Sequence, residues 1–337
     1  MTGSQLVVRR RHGVLLALCA SVVSLLAPGL AAARDSAGIL QGADGLTYQS
    51  APLVMNGQDG NLFYGPELDL ACGAGERLSV PMKALAALTR IIEKSGRKVV
   101  FSIAPGKTAT MAGELAVLPH GYCDQSGLAA QNQLLDGFDA GEYLPLRHTL
   151  MDSRRQMYWK TDLHWTTVGG AAYAKALATR LDPRLGARQR YHYSSETRVG
   201  LLSKYLGLQL PETVQLASPA GPVKVRNANS ADAWTGYPEF TFETSWASKP
   251  AARTWPGRTL LLGDSFMWYA LENLRPIFHH GEFLWVVHSS DEEMTKAIQR
   301  SDTVVIEVYQ LVLPGTPLVE PAFRQQLKAA LKSGLDS

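Results

Sequence analysis

The chain has 337 residues, 46% hydrophobic and 19% charged, enough for one large domain or two modest ones around a buried core. Its formal charge of +3 is matched by Arg9, Arg10 and Arg11, which lie in a segment without acidic residues; residues 34–337 hold 30 Lys and Arg against 30 Asp and Glu. That balance excludes a globally basic surface of the kind that binds nucleic acid. The arginines open the chain's first feature. They precede an almost wholly apolar run, Val14 to Leu30, and the small residues Ala31-Ala32-Ala33. Residues 1–33 therefore read as a secretory signal, with an uncleaved anchor as the alternative; the break at Pro28-Gly29 favours cleavage. The protein is expected outside the cytoplasm, in the periplasm or at the cell surface, with residues 34–337 as one domain.

Residues 34–60 read as an irregular lead-in, followed by a short strand at 62–65. Leu85, Leu88, Ile91 and Ile92 recur at helical spacing, which predicts a helix over Pro81–Lys94 stopped by Gly96. Lys98–Ala104 is a buried strand, turned at its carboxyl end by Pro105-Gly106-Lys107. This β-α-β rhythm predicts an α/β domain with a mainly parallel sheet. Residues 110–150 are mixed, with apolar patches at 128–135. Thr166 or Thr167 can cap a helix from about Val168 to Leu181. Residues 182–256, rich in Pro and Gly, read as loops and short strands decorating the core. Regular structure then returns: strand 259–262, helix 266–274, strand 283–287, helix 291–299, strand 303–308 and helix 321–333.

Cys19 falls in the signal, which leaves Cys72 and Cys123 as an even pair in a chain bound for an oxidising compartment. A disulfide between them is the expectation. Closing a loop of about 50 residues would contribute at most roughly 4 kcal/mol on the entropic model. No Cys/His spacing matches a zinc site, and no metal or cofactor is expected. His279-His280 reads as a polar helix end, with an extra metal-ligand pair as the alternative.

Two short stretches carry chemistry. Leu260-Leu261-Leu262-Gly263-Asp264-Ser265-Phe266 reads as strand, tight turn and helix start, which lifts the Ser265 hydroxyl above the carboxyl end of a sheet. About 100 residues earlier, Thr161-Asp162-Leu163-His164-Trp165 offers an imidazole and a carboxylate two positions apart, on one side of an extended segment. A serine hydroxyl needs a neighbouring base before it attacks, and a carboxylate can hold that base in place. Either motif alone has a plainer reading: Asp264 or Ser265 as a helix cap, Asp162-x-His164 as a metal pair or a solvated loop. Together they predict a Ser265, His164, Asp162 acyl-transfer site. The Ser265 N–H is a candidate oxyanion donor. Lys107, Arg275 and Tyr309 are weaker candidates for the same task or for binding substrate. Trp159 and Trp165 flank the His164 motif, placed either to stack on a sugar or to pack in the core.

Taken together, the two motifs and the Pro105-Gly106-Lys107 turn resemble those of the SGNH-hydrolase-like polysaccharide O-acetyltransferases typified by the alginate acetylation proteins AlgJ and AlgX. In that family the Asp-x-His block precedes the serine block, reversed from ordinary secreted esterases, and this sequence has the reversed order. The resemblance implies a three-layer α/β/α fold with circularly permuted motif order. It implies Ser265 as nucleophile, His164 as general base and Asp162 as its orienter. It also implies a polysaccharide acceptor, a membrane-bound O-acyltransferase as acetyl supplier, and proteins of a secretion complex as further partners. No carbohydrate-binding β-domain follows the catalytic part, so the architecture is similar to AlgJ. The stretch Glu307-Val308-Tyr309-Gln310 departs from the family pattern by lacking an Arg. The alternatives are a secreted carbohydrate acetylesterase with the same three residues and a non-catalytic polysaccharide-binding scaffold.

Overall fold

The computed structural model describes residues 39–41, 47–49, 51–72, 74–115, 125–151, 154–227 and 243–333. The signal at residues 1–33 and Cys123, and with it the Cys72 pairing, lie outside them. In chain order the structure begins with strands β1 (Ile39–Gln41), β2 (Thr47–Gln49), β3 (Val54–Asn56) and β4 (Leu62–Tyr64). Helices α1 (Gly65–Cys72) and α2 (Ala74–Glu93), strand β5 (Lys98–Ala104) and helices α3 (Lys107–Thr110), α4 (Gln125–Gly137) and α5 (Arg147–Leu150) follow. Next come α6 (Thr167–Leu181), α7 (Pro183–Arg188), β6 (Tyr191–Val199), α8 (Leu201–Tyr205), β7 (Pro211–Pro219), β8 (Lys224–Asn227) and β9 (Glu243–Lys249). The chain closes with β10 (Trp255–Gly263), α9 (Ser265–Leu274), β11 (Phe278–Trp285), α10 (Asp291–Gln299), β12 (Thr303–Tyr309) and α11 (Pro321–Ser333).

The central sheet has six strands in the order β5-β12-β10-β11-β9-β8. Its first four strands run parallel. Helices cover both faces of its middle: every residue of β12 is buried, as are the last six of β5 and the last five of β10. Strands β9 and β8 add antiparallel at the far edge, so the sheet is mixed rather than wholly parallel. On one face α6 packs against α9; on the other α2 and α10 pack against α11. The result is the three-layer α/β arrangement expected from the β-α-β rhythm.

Two expected boundaries move for physical reasons. Helix α2 starts at Ala74 and carries Pro81 inside it, where the sequence places Pro81 at the start. Leu78, Met82 and Leu85 are all fully buried on its inner face, and that packing outweighs the hydrogen bond that proline removes. Residues 182–256 are also more regular than expected: β6 and β7 form a nine-residue antiparallel hairpin. Four consecutive positions of β6, His192 to Ser195, are exposed, so no alternating pattern marked it as a strand.

Candidate active site

Ser265 sits at the first turn of α9, directly after β10 ends at Gly263. Asp264 is the N-cap. One of its oxygens accepts the Phe266 N–H (2.9 Å) and the other accepts the Tyr309 N–H from the end of β12 (2.7 Å). The helix start is thus tied to the neighbouring parallel strand, and Ser265 stays partly accessible above the sheet. Burial pushes the Asp264 carboxyl up to about 6, against the pull of those two N–H groups and of His164.

His164 approaches from a different part of the chain. Its Nε2 lies 2.9 Å from Ser265 Oγ, and its Nδ1 lies 2.8 Å from Asp162 Oδ1. Asp162 Oδ1 also accepts the His164 N–H, and Oδ2 accepts the Leu201 N–H at 2.7 Å. Burial pushes this carboxyl up, but the His164 charge and the hydrogen bonds from His164 and Leu201 outweigh it and hold the carboxyl below its ordinary value. An ionised Asp162 fixes the imidazole tautomer with its proton on Nδ1, which leaves the Nε2 lone pair facing the Ser265 hydroxyl. The imidazole is walled by Tyr269, stacked at 4.6 Å, and by Phe266 at 4.9 Å. The three residues expected to share a site are therefore brought together in hydrogen-bonded series.

The loop that holds His164 has no regular structure of its own, and its backbone is gripped by distant side chains. Lys107 is fully buried and donates from Nζ to the carbonyls of Leu62, Trp159 and Lys160 (2.9, 2.7 and 2.8 Å). Glu212 on β7 accepts from the N–H groups of Lys160 and Thr161 and from the Thr161 hydroxyl. Gly200 donates to Thr161 Oγ1, and a Cβ at that glycine would stand 2.2 Å from the Thr161 carbonyl oxygen, so a side chain there would expel the loop. Thr166 caps α6 through Val168 and Gly169, which fixes the downstream end. Trp165 Nε1 donates to the Phe266 carbonyl, stitching this loop to the first turn of α9.

The weaker sequence candidates fare differently. Lys107 has all three donors engaged on carbonyls, so it holds the loop and is not an oxyanion donor. Burial pushes its ammonium down to about 8, with Glu212, Glu67, Asp162 and Glu114 holding it up. Tyr309 gives its hydroxyl to Glu67, itself fully buried with its carboxyl raised by burial. Tyr309 therefore acts through its ring, stacked on Phe266 at 4.4 Å, and through its N–H. Arg275 caps the opposite end of the ten-residue α9 and lies over the Trp246 ring, remote from Ser265. Trp165 is completely buried, which decides for core packing over sugar stacking. His279 and His280 lie on β11 rather than at a helix end, and no group of His, Cys, Asp and Glu among the described residues could hold a metal. Glu212, Glu67 and Tyr269 were not singled out from sequence. Glu212 and Glu67 reach the site from distant parts of the chain, and Tyr269 lies one turn after Ser265 on α9; none carries a local motif.

The model for a family described as the SGNH hydrolase-like domain of the acetyltransferase AlgX matches residues 54–235. That span includes Lys107, Asp162, His164 and Glu212 and ends before Ser265. No curated protein matches the chain. Among solved structures, PatB1 of Bacillus cereus superposes with a TM-score of 0.57 at 16% identity, covering 79% of this chain and 98% of that one. The O-acetyltransferase domain of AlgJ from Pseudomonas putida gives 0.50 at 21% identity, covering 82% and 98%. At such identities these two likenesses speak for a shared fold.

Proposed function

The chain belongs to the SGNH hydrolase-like family of the acetyltransferase AlgX, and from that premise we propose that it moves an acetyl group through an acyl-serine at Ser265 onto hydroxyls of an exported polysaccharide. The observation that carries the reading is the unbroken series Ser265 Oγ–His164 Nε2 and His164 Nδ1–Asp162 Oδ1 at the head of α9. In the first half-reaction Ser265 Oγ attacks the acetyl carbonyl while His164 takes the hydroxyl proton. The tetrahedral oxygen faces the start of α9, where the Ser265 N–H has no intrahelical acceptor and the helix dipole favours negative charge. The collapsing intermediate expels the donor's leaving group, which takes the proton from His164. In the second half-reaction a sugar hydroxyl gives its proton to His164 and attacks the acetyl-serine; the Ser265 oxygen leaves and recovers the proton. Asp162 remains ionised throughout and stabilises the imidazolium.

The reading of segment 1–33 as a secretory signal supports chemistry outside the cytoplasm, where acetyl-CoA is absent. A membrane-bound O-acyltransferase is accordingly the acetyl supplier in this reading. Among the described residues no helix is long and apolar enough to cross a membrane.

The test is to incubate the purified protein and Ser265→Ala with p-nitrophenyl acetate and a panel of oligosaccharides, then seek acetylated sugar by mass spectrometry. The expected result is acetyl transfer that falls by at least about 10³-fold in Ser265→Ala. Serine-dependent release of acetate with no acetylated sugar would make the protein an esterase. Absence of any serine-dependent turnover would leave a binding scaffold.

A further inference from the structure

We propose that Glu67 is a positioning residue whose single buried carboxyl holds the Ser265 turn and the His164 loop in register with one another. The inference rests on the acyl-transfer reading for its catalytic meaning, although the geometry it describes can be measured without turnover.

The reacting pair is separated by 101 residues of chain, and each member has an anchor that ends at the same group. On the serine side, Tyr309 donates its N–H to Asp264 and stacks its ring on Phe266, while its hydroxyl donates to Glu67 Oε1. On the histidine side, the turn Pro105-Gly106-Lys107 grips the loop at three points. The Pro105 carbonyl accepts the Tyr158 hydroxyl at 2.6 Å, and Lys107 Nζ donates to the carbonyls of Trp159 and Lys160. That turn is fixed in its place by Glu67 Oε2, which accepts both the N–H and the hydroxyl of Thr108 at 2.8 Å. One carboxyl oxygen therefore serves each half of the site.

The carboxyl is closely seated. Glu67 is fully buried in the first turn of α1, and a Cβ at Gly106 would stand 2.5 Å from its Cδ. The turn closes on Glu67 because residue 106 has no side chain. All three hydrogen bonds at the carboxyl are ones it accepts, as a carboxylate does, and its charge helps to hold the buried Lys107 ammonium. A buried carboxyl costs free energy that an apolar side chain in the same place would not, so packing does not account for it. Orientation does. His164 Nε2 and Ser265 Oγ are 2.9 Å apart, and a misplacement of about 1 Å between reacting groups costs on the order of 10²-fold in rate. Trp165 ties the loop to α9 directly through the Phe266 carbonyl. The second tie, through Glu67, removes the rotation that a single one permits.

The experiment measures the rate constant for acetylation of Ser265 by p-nitrophenyl acetate per active site, the sites being counted by the p-nitrophenol burst. Beside it stands the nitrogen NMR shift of His164 Nε2, recorded without substrate. Glu67→Gln replaces one acceptor oxygen by a donor. It is expected to lower the rate constant about 30-fold with KM within about twofold, and to move the Nε2 shift toward that of an imidazole without its serine bond. Thr108→Val and Tyr309→Phe each weaken one arm, and among the described residues the two share no hydrogen bond. Coupling through Glu67 therefore makes the double variant no more than about twofold slower than the slower single one. Leu327→Ala, a buried change on α11, reports lost stability alone: it lowers the unfolding midpoint and leaves the rate per active site unchanged. An unchanged rate per site or an unchanged Nε2 shift in Glu67→Gln overturns the proposal, as do single effects that multiply in the double variant or an equal fall in Leu327→Ala. Should Glu67→Gln fail to fold, the Thr108 and Tyr309 variants decide by the same readings. A parent protein that takes no acetyl at Ser265 would sink the acyl-transfer reading, and the Nε2 shift would then decide this one by itself.

Discussion

The two halves of the site are built in opposite ways. Ser265 is positioned by its own neighbourhood: β10 delivers it, Asp264 caps the helix that follows, and the adjoining parallel strand supplies Tyr309 as the second anchor. His164 is positioned by borrowed contacts. Its loop is held by Lys107 from α3, Glu212 from β7, Leu201 from α8 and Trp165 against α9, at sequence separations of up to 101 residues. The difference teaches that a nucleophile can be fixed by one strand-to-helix turn, whereas a base presented on irregular chain needs an external clamp for each unsatisfied backbone group.

Substitutions that strike one half and spare the other sharpen this contrast. The largest effect is chemical: His164→Ala should lower acetyl transfer by at least about 10³-fold, and combining it with Ser265→Ala should cost little more, because the two act as a unit. Steady-state rates of the single and double variants check this. Next comes the clamp. Lys107→Met leaves three carbonyls, two of them buried, without this donor, and thermal unfolding should show a loss on the order of 4 kcal/mol.

A smaller effect probes the Ser265 half through pH. The Asp264 carboxyl is raised from 3.8 to about 6, so its folded form holds a proton more tightly than its unfolded form. Its contribution to stability is fully present below about pH 4 and is lost as pH rises through 6, a span of at most about 3 kcal/mol. Unfolding midpoints between pH 4 and 7 should show this slope, and Asp264→Asn should flatten it. Smallest is Glu212→Gln, which keeps one acceptor oxygen for the loop. It should cost about 1.5 kcal/mol and lower transfer about tenfold. If its effect on transfer matched that of His164→Ala, the clamp would be part of the chemistry rather than its support.

The same contrast explains what was legible in the sequence. The Ser265 half is contiguous, and Leu260-Leu261-Leu262-Gly263-Asp264-Ser265 announces a buried strand, a turn and a capped helix; Asp264 is the cap and Ser265 beside it stays partly accessible. The helical periodicity of 85–92 and the apolar runs at 98–104 and 303–308 likewise gave their elements directly. The Asp162-x-His164 pair was visible, but the clamp was not. Glu212 lies on the buried face of β7, whose first five positions alternate between exposed and buried, but a charged residue at a buried position hides that pattern, and its partner strand shows His192 to Ser195 to solvent without alternation. Lys107 drew attention as a charged residue at a strand end, and only its total burial among carbonyls shows that the charge is spent inward. Trp165 and Tyr309 were likewise readable as polar or aromatic groups near the site, while their direction, inward to Phe266 and Glu67, depends on packing that spans the chain.

The central claim is that Ser265, activated by His164, carries the acyl group. Its most direct test is mass spectrometry of the protein quenched during turnover of p-nitrophenyl acetate, with peptide mapping of the label. The account predicts acetyl on the peptide containing Ser265, absent from Ser265→Ala and strongly reduced in His164→Ala. An unlabelled Ser265 peptide in a protein that still releases acetate, or equal labelling in His164→Ala, would contradict it.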